Sequence, residues 1–359
     1  MKKAYITRAI LKDYLTIKNV DITFNEGINI IIGKNGTGKT NFINYLADGL
    51  SYTQKIANNN SLIYFKLFKS DYQKEIKNTR LLKQTRNEES LAPLFEVREK
   101  KNVVLKNKSG EVIDEIDYLG ALDAVKIGHG IPEHYQIAQE PFNSVLKRFS
   151  DGYTLSPNSE KDTLGFEIGK YYVSNYLFFP TESFDINDSL KSINSYVYRY
   201  SNIEKVRIGK NFNLNENDPN EIHFNNLYLE FFVNDSWLLF NQLSDGTKRL
   251  FYIISEITLS TQSIILLEEP ELGIHPHQLY TLMQFIKEMS EKFQFIITTH
   301  SPTVLNTLSS DELVNIIISS IENGATKLRH LDEEQISKAQ AYMKEMDLSD
   351  YWIHSDLED

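Results

Sequence analysis

Apolar residues recur along this chain with two different periods, and the places where one gives way to the other mark its elements. Residues 4 to 24 alternate and predict two short strands, AYITRAIL and VDITF, on either side of the polar stretch KDYLTIK. Asn25-Glu26-Gly27 carries turn chemistry, and GINIIIG beyond it reads as a third strand. From Asn41 the period lengthens, so that Phe42, Ile43, Leu46, Ala47 and Leu50 share one side of a helix. The middle, about 60 to 177, has no sustained period. NVVLKNKSGEVIDEID predicts a hairpin about Ser109-Gly110, and EHYQIAQEPFNSVLKRF predicts a helix. Aromatic strands return at NYLFFP and at LYLEFFVNDSWLLF, where Asn234-Asp235 supplies a hairpin turn. SIILLEE is then an apolar strand ending in acids, HPHQLYTLMQFIKEM a helix with Pro276 in its first turn, and FQFIITTH another buried strand.

Strands alternating with helices predict an α/β fold: a parallel sheet with crossover helices behind a β-rich amino-terminal lobe. The pattern divides the chain into a core of residues 1–59 and 175–331, an inserted middle region of 60–174 with helices and a hairpin, and an acidic tail of 332–359. No repeat of about 20 to 50 residues and no sustained heptad seam is present in the sequence.

Composition narrows the picture without changing it. A chain of 359 residues with 41% apolar and 12% aromatic content can bury one large core or two modest ones. There is no apolar run approaching about 18 residues, and charges interrupt the amino terminus, so the expectation is a soluble, unexported, cytoplasmic chain with no membrane partner. With no cysteine there are no disulfides, thiolate metal sites or cysteine nucleophiles. The formal charge of −11 argues against a general nucleic-acid coat. A local basic strip between residues 66 and 108 keeps nucleic acid open as a partner; it and the acidic stretch from Asp332 to Asp359 both have the look of solvated helical faces.

The chemistry is concentrated in a few short stretches. Gly33-Lys34-Asn35-Gly36-Thr37-Gly38-Lys39-Thr40 satisfies GxxxxGKT between a buried strand and a helix, the context of a phosphate-binding loop. Gly33, Asn35, Gly36 and Gly38 let backbone N–H groups wrap an anion. Lys39 supplies a charge for β and γ phosphates, and the Thr40 hydroxyl is a magnesium ligand. Average residue usage would give this pattern by accident in roughly one chain of this length per hundred. Three further stretches follow. Glu268 and Glu269 end an apolar strand, where one carboxylate can serve the magnesium shell and the next can orient an attacking water. An acidic helix cap would look the same. His300 ends FIITTH and could reach a γ-phosphate, although a strand-end histidine is often structural. Leu243-Ser244-Asp245-Gly246 opens a helix with a serine cap and a glycine, a second anion-ready helix start.

In this order the stretches resemble the ABC-type ATPases: Gly33 to Thr40 as Walker A, Leu243 to Gly246 as the LSxG signature, Ile264 to Glu269 as Walker B, His300 as the switch histidine. GKNGTGKTNF, NQLSDGTKRL, EEPELGIHP and TTHSP look like the RecF and OLD-type branch, and the match covers about 1 to 55 and 175 to 320. Two departures stand out. Ser183 in FFPTESFDIN replaces an arginine that relatives often carry, and Glu268 stands where Walker B more often has Asp. The resemblance implies an ABC-ATPase head that binds ATP and Mg2+ and hydrolyses ATP with Glu269 as base. It also implies a head-to-tail homodimer or higher oligomer in which Ser244 and Gly246 act on the partner's nucleotide. OLD proteins usually continue into a Toprim nuclease module, whereas about 60 residues follow His300 here. The expectation is therefore a stand-alone ATPase that senses a trigger and controls a separately encoded effector such as a Toprim-like nuclease, similar to the ATPase subunit of anti-phage systems such as PARIS. A RecF-like DNA-repair ATPase is the alternative.

Overall fold

The alternating amino terminus forms the expected antiparallel pair, β1 (Ala4–Tyr14) and β2 (Ile17–Thr23). The buried positions of β1 are Ala4 and Ile6, then Ala9 and Leu11. The change of parity between them coincides with a register shift between Ile6 and Arg8 against β4 (Asn60–Leu67). One extra residue flips the pleat, so that both halves of a long strand keep their apolar side chains on one face.

The computed structural model describes residues 4–50, 60–67, 70–85, 94–107, 109, 124–128, 142–149, 152–157, 186–210, 213–218, 221–260 and 262–355. The chain divides into two compact units. One comprises Met1–Ile127, Gln262–Pro270 and Lys287–Asp359, the other Gly128–Thr261 and Glu271–Ile286.

In the first unit, β4, β5 (Ser70–Thr85) and β6 (Leu94–Asn107) extend the amino-terminal pair into an antiparallel sheet of order β2-β1-β4-β5-β6. The segment from residue 60, which the sequence left irregular, is thus strand over much of its described length. The described part of the basic strip lies on β4, β5 and β6 rather than on a helix, because long-range antiparallel pairing decides strand formation where periodicity is weak. The second half of the hairpin expected about Ser109-Gly110 falls outside the described residues.

A second sheet is built from β3 (Ile28–Ile32), β7 (Ala124–Ile127), β15 (Ile264–Glu268), β16 (Gln294–Thr299), β17 (Ile316–Glu322) and β18 (Ala325–His330), in the order β18-β17-β3-β16-β15-β7. Every pairing in it is parallel except that of the edge strand β18. β3, β15 and β16 are buried at every residue, as strands covered on both faces must be. Helix α1 (Lys39–Leu50) places Phe42, Ile43, Leu46 and Leu50 in one core with Ile31, Leu266, Ile296 and Ile317 of the parallel sheet and Ile6, Leu11, Ile63 and Phe65 of the antiparallel one. Buried Gln294 ties the sheets together: its Oε1 accepts from the Ile6 N–H at 2.8 Å and its Nε2 donates to the Ile6 carbonyl at 2.8 Å.

The second unit holds a sheet of order β11-β12-β8-β9, from β8 (Phe142–Phe149), β9 (Gly152–Pro157), β11 (Asn213–Asp218) and β12 (Glu221–Leu227). The carboxyl-terminal half of the helix expected over EHYQIAQEPFNSVLKRF is corrected here, since Phe142–Phe149 is strand, and the first half lies outside the described residues. Pairing on both sides, with β9 and β12, overrides a weak helical spacing. A smaller sheet joins β10 (Lys205–Ile208), β13 (Leu229–Val233) and β14 (Ser236–Leu239), the last two linked through Asn234 and Asp235 at φ +49° and +61°, the hairpin read from the sequence. Helices α2 (Ile186–Tyr200), α3 (Asp245–Leu259) and most of α4 (Pro276–Met289) complete it. Phe231 packs against Phe251 at 4.8 Å and Phe240 at 5.8 Å, and Phe285 against Tyr196 at 5.3 Å.

The stretch read as a solvated acidic tail is folded as far as Ser355. Asp332 and Gln335 form a reciprocal capping box that starts α5 (Glu333–Tyr342), and α6 (Leu348–His354) buries Leu348, Tyr351 and Trp352. Asn306 anchors α6, accepting from the Ser349 N–H at 2.8 Å. Net charge hid two aromatic anchors.

Candidate functional site

The turn from β3 into α1 has few conformations open to it. Gly36 and Gly38 sit at φ +84° and +91°, the left-handed region where a side chain is strained. A Cβ on Gly38 would lie 2.0 Å from Thr326 Oγ1, and one on Gly33 would lie 2.2 Å from the Ser319 carbonyl oxygen. β17 and β18 thus press on the loop from behind. Ser319 Oγ is 3.0 Å from Thr37 Oγ1, and Thr326 Oγ1 donates to Thr16 Oγ1 at 2.7 Å. Lys39, only 5% exposed, folds under the loop and donates from Nζ to the Gly33 and Lys34 carbonyls at 2.5 and 2.9 Å. The first turn of α1 has no acidic residue, so the positive end of the helix dipole faces outward without a counter-charge of its own. Thr40 is exposed in that turn.

The acids arrive from the neighbouring strands. β15 and β16 pair in parallel with Glu268 opposite Thr298, which brings Glu269 and His300 to the same carboxyl edge of the sheet. Glu268 is 1% exposed. Glu269 is held at φ +43°, uncommon for a non-glycine residue, and its N–H donates to the Thr298 carbonyl at 2.8 Å. Its Oε1 lies 3.6 Å from His300 Nδ1, within ion-pair range when the imidazole is protonated. Lys126, which the sequence reading did not single out, places Nζ 3.4 Å from Glu268 Oε2 and hydrogen-bonds Asn44 Oδ1 of α1. A lysine inside the apolar strand AVKI was the available signal.

Ser244 and Gly246 belong to the second unit. Ser244 caps α3, accepting from the Thr247 N–H at 3.2 Å and donating to Thr247 Oγ1 at 2.9 Å. A Cβ on Gly246 would lie 2.8 Å from the Gly273 carbonyl oxygen, so glycine is required for that approach. Ser244 itself is exposed. The structure therefore gathers Gly33 to Thr40, Glu268, Glu269 and His300 within one unit, and sets the signature residues at a separate helix start. NYLFFP and Ser183 fall outside the described residues.

The residues present fit a magnesium triphosphate. A glycine turn that excludes Cβ atoms and opens onto a helix start offers N–H donors to an anion, and a buried ammonium lies under it. The Thr40 hydroxyl and the Glu268 carboxylate are the hard oxygen donors that magnesium takes.

A family model described as "AAA domain, putative AbiEii toxin, Type IV TA system" matches residues 28–306. Septu protein PtuA of Bacillus thuringiensis is 22% identical over 347 residues, which covers 89% of this chain and 77% of that protein. The Retron Vc95 probable ATPase of Vibrio cholerae serotype O1 biovar El Tor is 33% identical over 88 residues, covering 21% of this chain and only 17% of the relative's own length. The DNA replication and repair protein RecF of Histophilus somni (strain 2336) is 38% identical over 56 residues, 15% of this chain and 16% of that one. Among solved structures, the SMC head bound to the C-winged helix domain of ScpA superposes with a TM-score of 0.56 at 15% identity, covering 93% of this chain and 99% of that one. The SMC head with an extended coiled coil derived from Pyrococcus furiosus gives 0.55 at 14% identity, over 95% and 100% of the two chains. At such identities the likeness is one of fold: a mixed α/β ABC-ATPase head on a parallel-sheet core.

Proposed function

The chain belongs to the AAA-domain family of P-loop ATPases, and from that premise we propose that it binds ATP with magnesium, hydrolyses it, and uses the cycle to control a separately encoded effector, a nuclease, in bacterial anti-phage defence. The observation that carries the catalytic part is Glu269, held at φ +43° with its carboxylate 3.6 Å from His300 at the edge where the phosphate loop opens. Strain retained at such a position is a common mark of a working residue.

Lys39 turns its ammonium from the loop carbonyls to the β and γ phosphoryl oxygens. Thr40 and Glu268 would hold the magnesium ion, which when bound would offset charge on the triphosphate. Glu269 accepts the proton of the attacking water, and His300 orients that carboxylate and contacts the γ-phosphate. Ser244 and Gly246, at an exposed helix start, act on nucleotide held by a second copy, so that ATP joins two chains head to tail. Similarity to the Septu and retron proteins supports the defence role and an effector partner. A RecF-like DNA-binding role is the second reading, favoured by the RecF match and by the lysines and arginines along β5 and β6.

Glu269→Gln tests the proposal. The variant should bind ATP and remain in a closed dimer by light scattering, with turnover at least about a hundredfold lower, the scale of a lost general base. Normal turnover in Glu269→Gln with loss in Glu268→Gln would reverse the two carboxylates. ATPase activity that depends on duplex DNA would favour the second reading.

A further inference from the structure

Lys126 has no part in the nucleotide chemistry set out above, yet it reaches the centre of it. Parallel pairing sets Lys126 beside Leu266, and two residues further along β15 the Glu268 side chain leaves the same face of the sheet. Helix α1 covers that face, and Asn44 receives the lysine from above. Asn44 follows Thr40 by four residues, one helical turn or about 6 Å, so both point along the same flank of α1. The ammonium is therefore clamped between the helix that carries one magnesium ligand and the strand that ends in the other. Its 3.4 Å approach to Glu268 Oε2 gives a carboxylate with 2% side-chain exposure a positive neighbour.

We propose that Lys126 is a displaceable counter-ion for Glu268, which competes with the magnesium ion for that carboxylate and sets the metal concentration at which the nucleotide site becomes complete. This rests on the ATPase reading of the site. A magnesium ion at Glu268 would repel an ammonium held at the same carboxylate, so metal and lysine compete there and the lysine would shift away from Oε2 toward solvent. The side chain is 32% exposed and has room to leave. The ammonium is partly solvated although its partner is buried, which makes the lysine a tuning element and not a block. The cell's free magnesium would then decide how much ATP is held in the productive form, and at low metal the site would rest with Glu268 neutralised by the protein itself.

The test measures metal binding directly. With a non-hydrolysable ATP analogue bound, Mn2+ is titrated and its free fraction read by electron paramagnetic resonance, for the wild-type chain, Lys126→Met, Lys126→Gln and Lys126→Arg. Removing the charge should tighten Mn2+ about fivefold in both neutral variants, and arginine should leave it near the wild-type value. Two neutral variants of different shape guard against one misfolding, and their melting curves report it. Unchanged or weaker Mn2+ binding in both folded neutral variants overturns the role of Lys126. Nucleotide affinity at saturating Mg2+ separates this from failure of the site: a wild-type chain that binds no fluorescent ATP analogue there overturns the nucleotide site and this inference together. If the analogue binds but Mn2+ affinity does not respond to Lys126, the counter-ion role alone falls.

Discussion

Lys39 donates its ammonium to two loop carbonyls, and the proposal gives the same ammonium to phosphate. Lys39→Ala should raise the dissociation constant for ATP by about ten- to a hundredfold, the worth of one or two charge-assisted hydrogen bonds. Isothermal titration measures it, and unchanged affinity would remove the loop assignment. Gly38→Ala should act through shape instead. At φ +91° with Thr326 Oγ1 where the Cβ would go, it should cost about 1 to 3 kcal/mol of stability and distort the loop, visible as a lower melting temperature together with weaker ATP binding. Both residues were legible in the sequence because glycine spacing and a lysine at a fixed offset are local signals. Lys126 and the bracing hydroxyls of Thr16, Ser319 and Thr326 were not, because their meaning lies in partners far along the chain that only the sheet order brings near.

Elements were legible where one period dominated. The mostly apolar runs Ile28–Ile32, Ile264–Glu268 and Gln294–Thr299 became the buried parallel strands they resembled, since a strand covered on both faces is drawn to a near-continuous apolar composition. Phe142–Phe149 and the β5 and β6 strands misled because charged residues at mixed spacing fit a helix face as well as a strand, and cross-strand partners made the choice. The carboxyl-terminal helices were hidden by net charge, and their anchor gives a prediction. Trp352, 3% exposed on α6, should cost about 3 to 5 kcal/mol when cut to alanine, as truncation of a large core side chain does, and the loss would be read by urea denaturation. A second prediction concerns the 3-10 turn Glu312–Asn315. Glu312 Oε2 accepts from the Ser309 N–H at 2.8 Å, the Ser309 hydroxyl at 2.6 Å and Lys287 Nζ at 2.9 Å. Burial alone would raise this carboxyl, but the hydrogen bonds from Ser309 and the nearby Lys287 outweigh it and lower its pKa. A lowered folded pKa stabilises above the unfolded value of about 4.3 and loses that stabilisation as pH falls through the folded value. Glu312→Gln should therefore melt a few degrees below wild type at pH 7, and the gap should close progressively in acid below about pH 4. A gap independent of pH would mean that the carboxylate charge is not what holds the turn.

At the scale of the whole molecule, the proposed catalytic residues lie in one unit and the anion-ready helix start in the other, and the proposed output of the ATP cycle is a change of state. Lys39, Glu268, Glu269 and His300 belong to the first unit, Ser244 and Gly246 to the second. If the signature helix start serves nucleotide bound by another copy, ATP has two effects: it closes the pair when bound and releases it when hydrolysed. A differential affinity of this kind is what shifts a two-state equilibrium, and a partner that contacts only one state is thereby held or freed. Among the described residues no three of His, Cys, Asp and Glu are grouped to hold a metal ion for strand cleavage. On the proposed reading, in which the effector is a separate protein, the purified chain should hydrolyse ATP and leave plasmid, linear DNA and RNA intact with magnesium or manganese. Toxicity in cells should need a second protein, and its co-purification with this chain should change with ATP in the wild type but not in Lys39→Ala. Cleavage that follows this chain through every purification step and is lost on replacing the acids after Asp332 would make the chain itself the nuclease. A partner that binds equally with and without ATP would leave the ATP cycle with nothing to control.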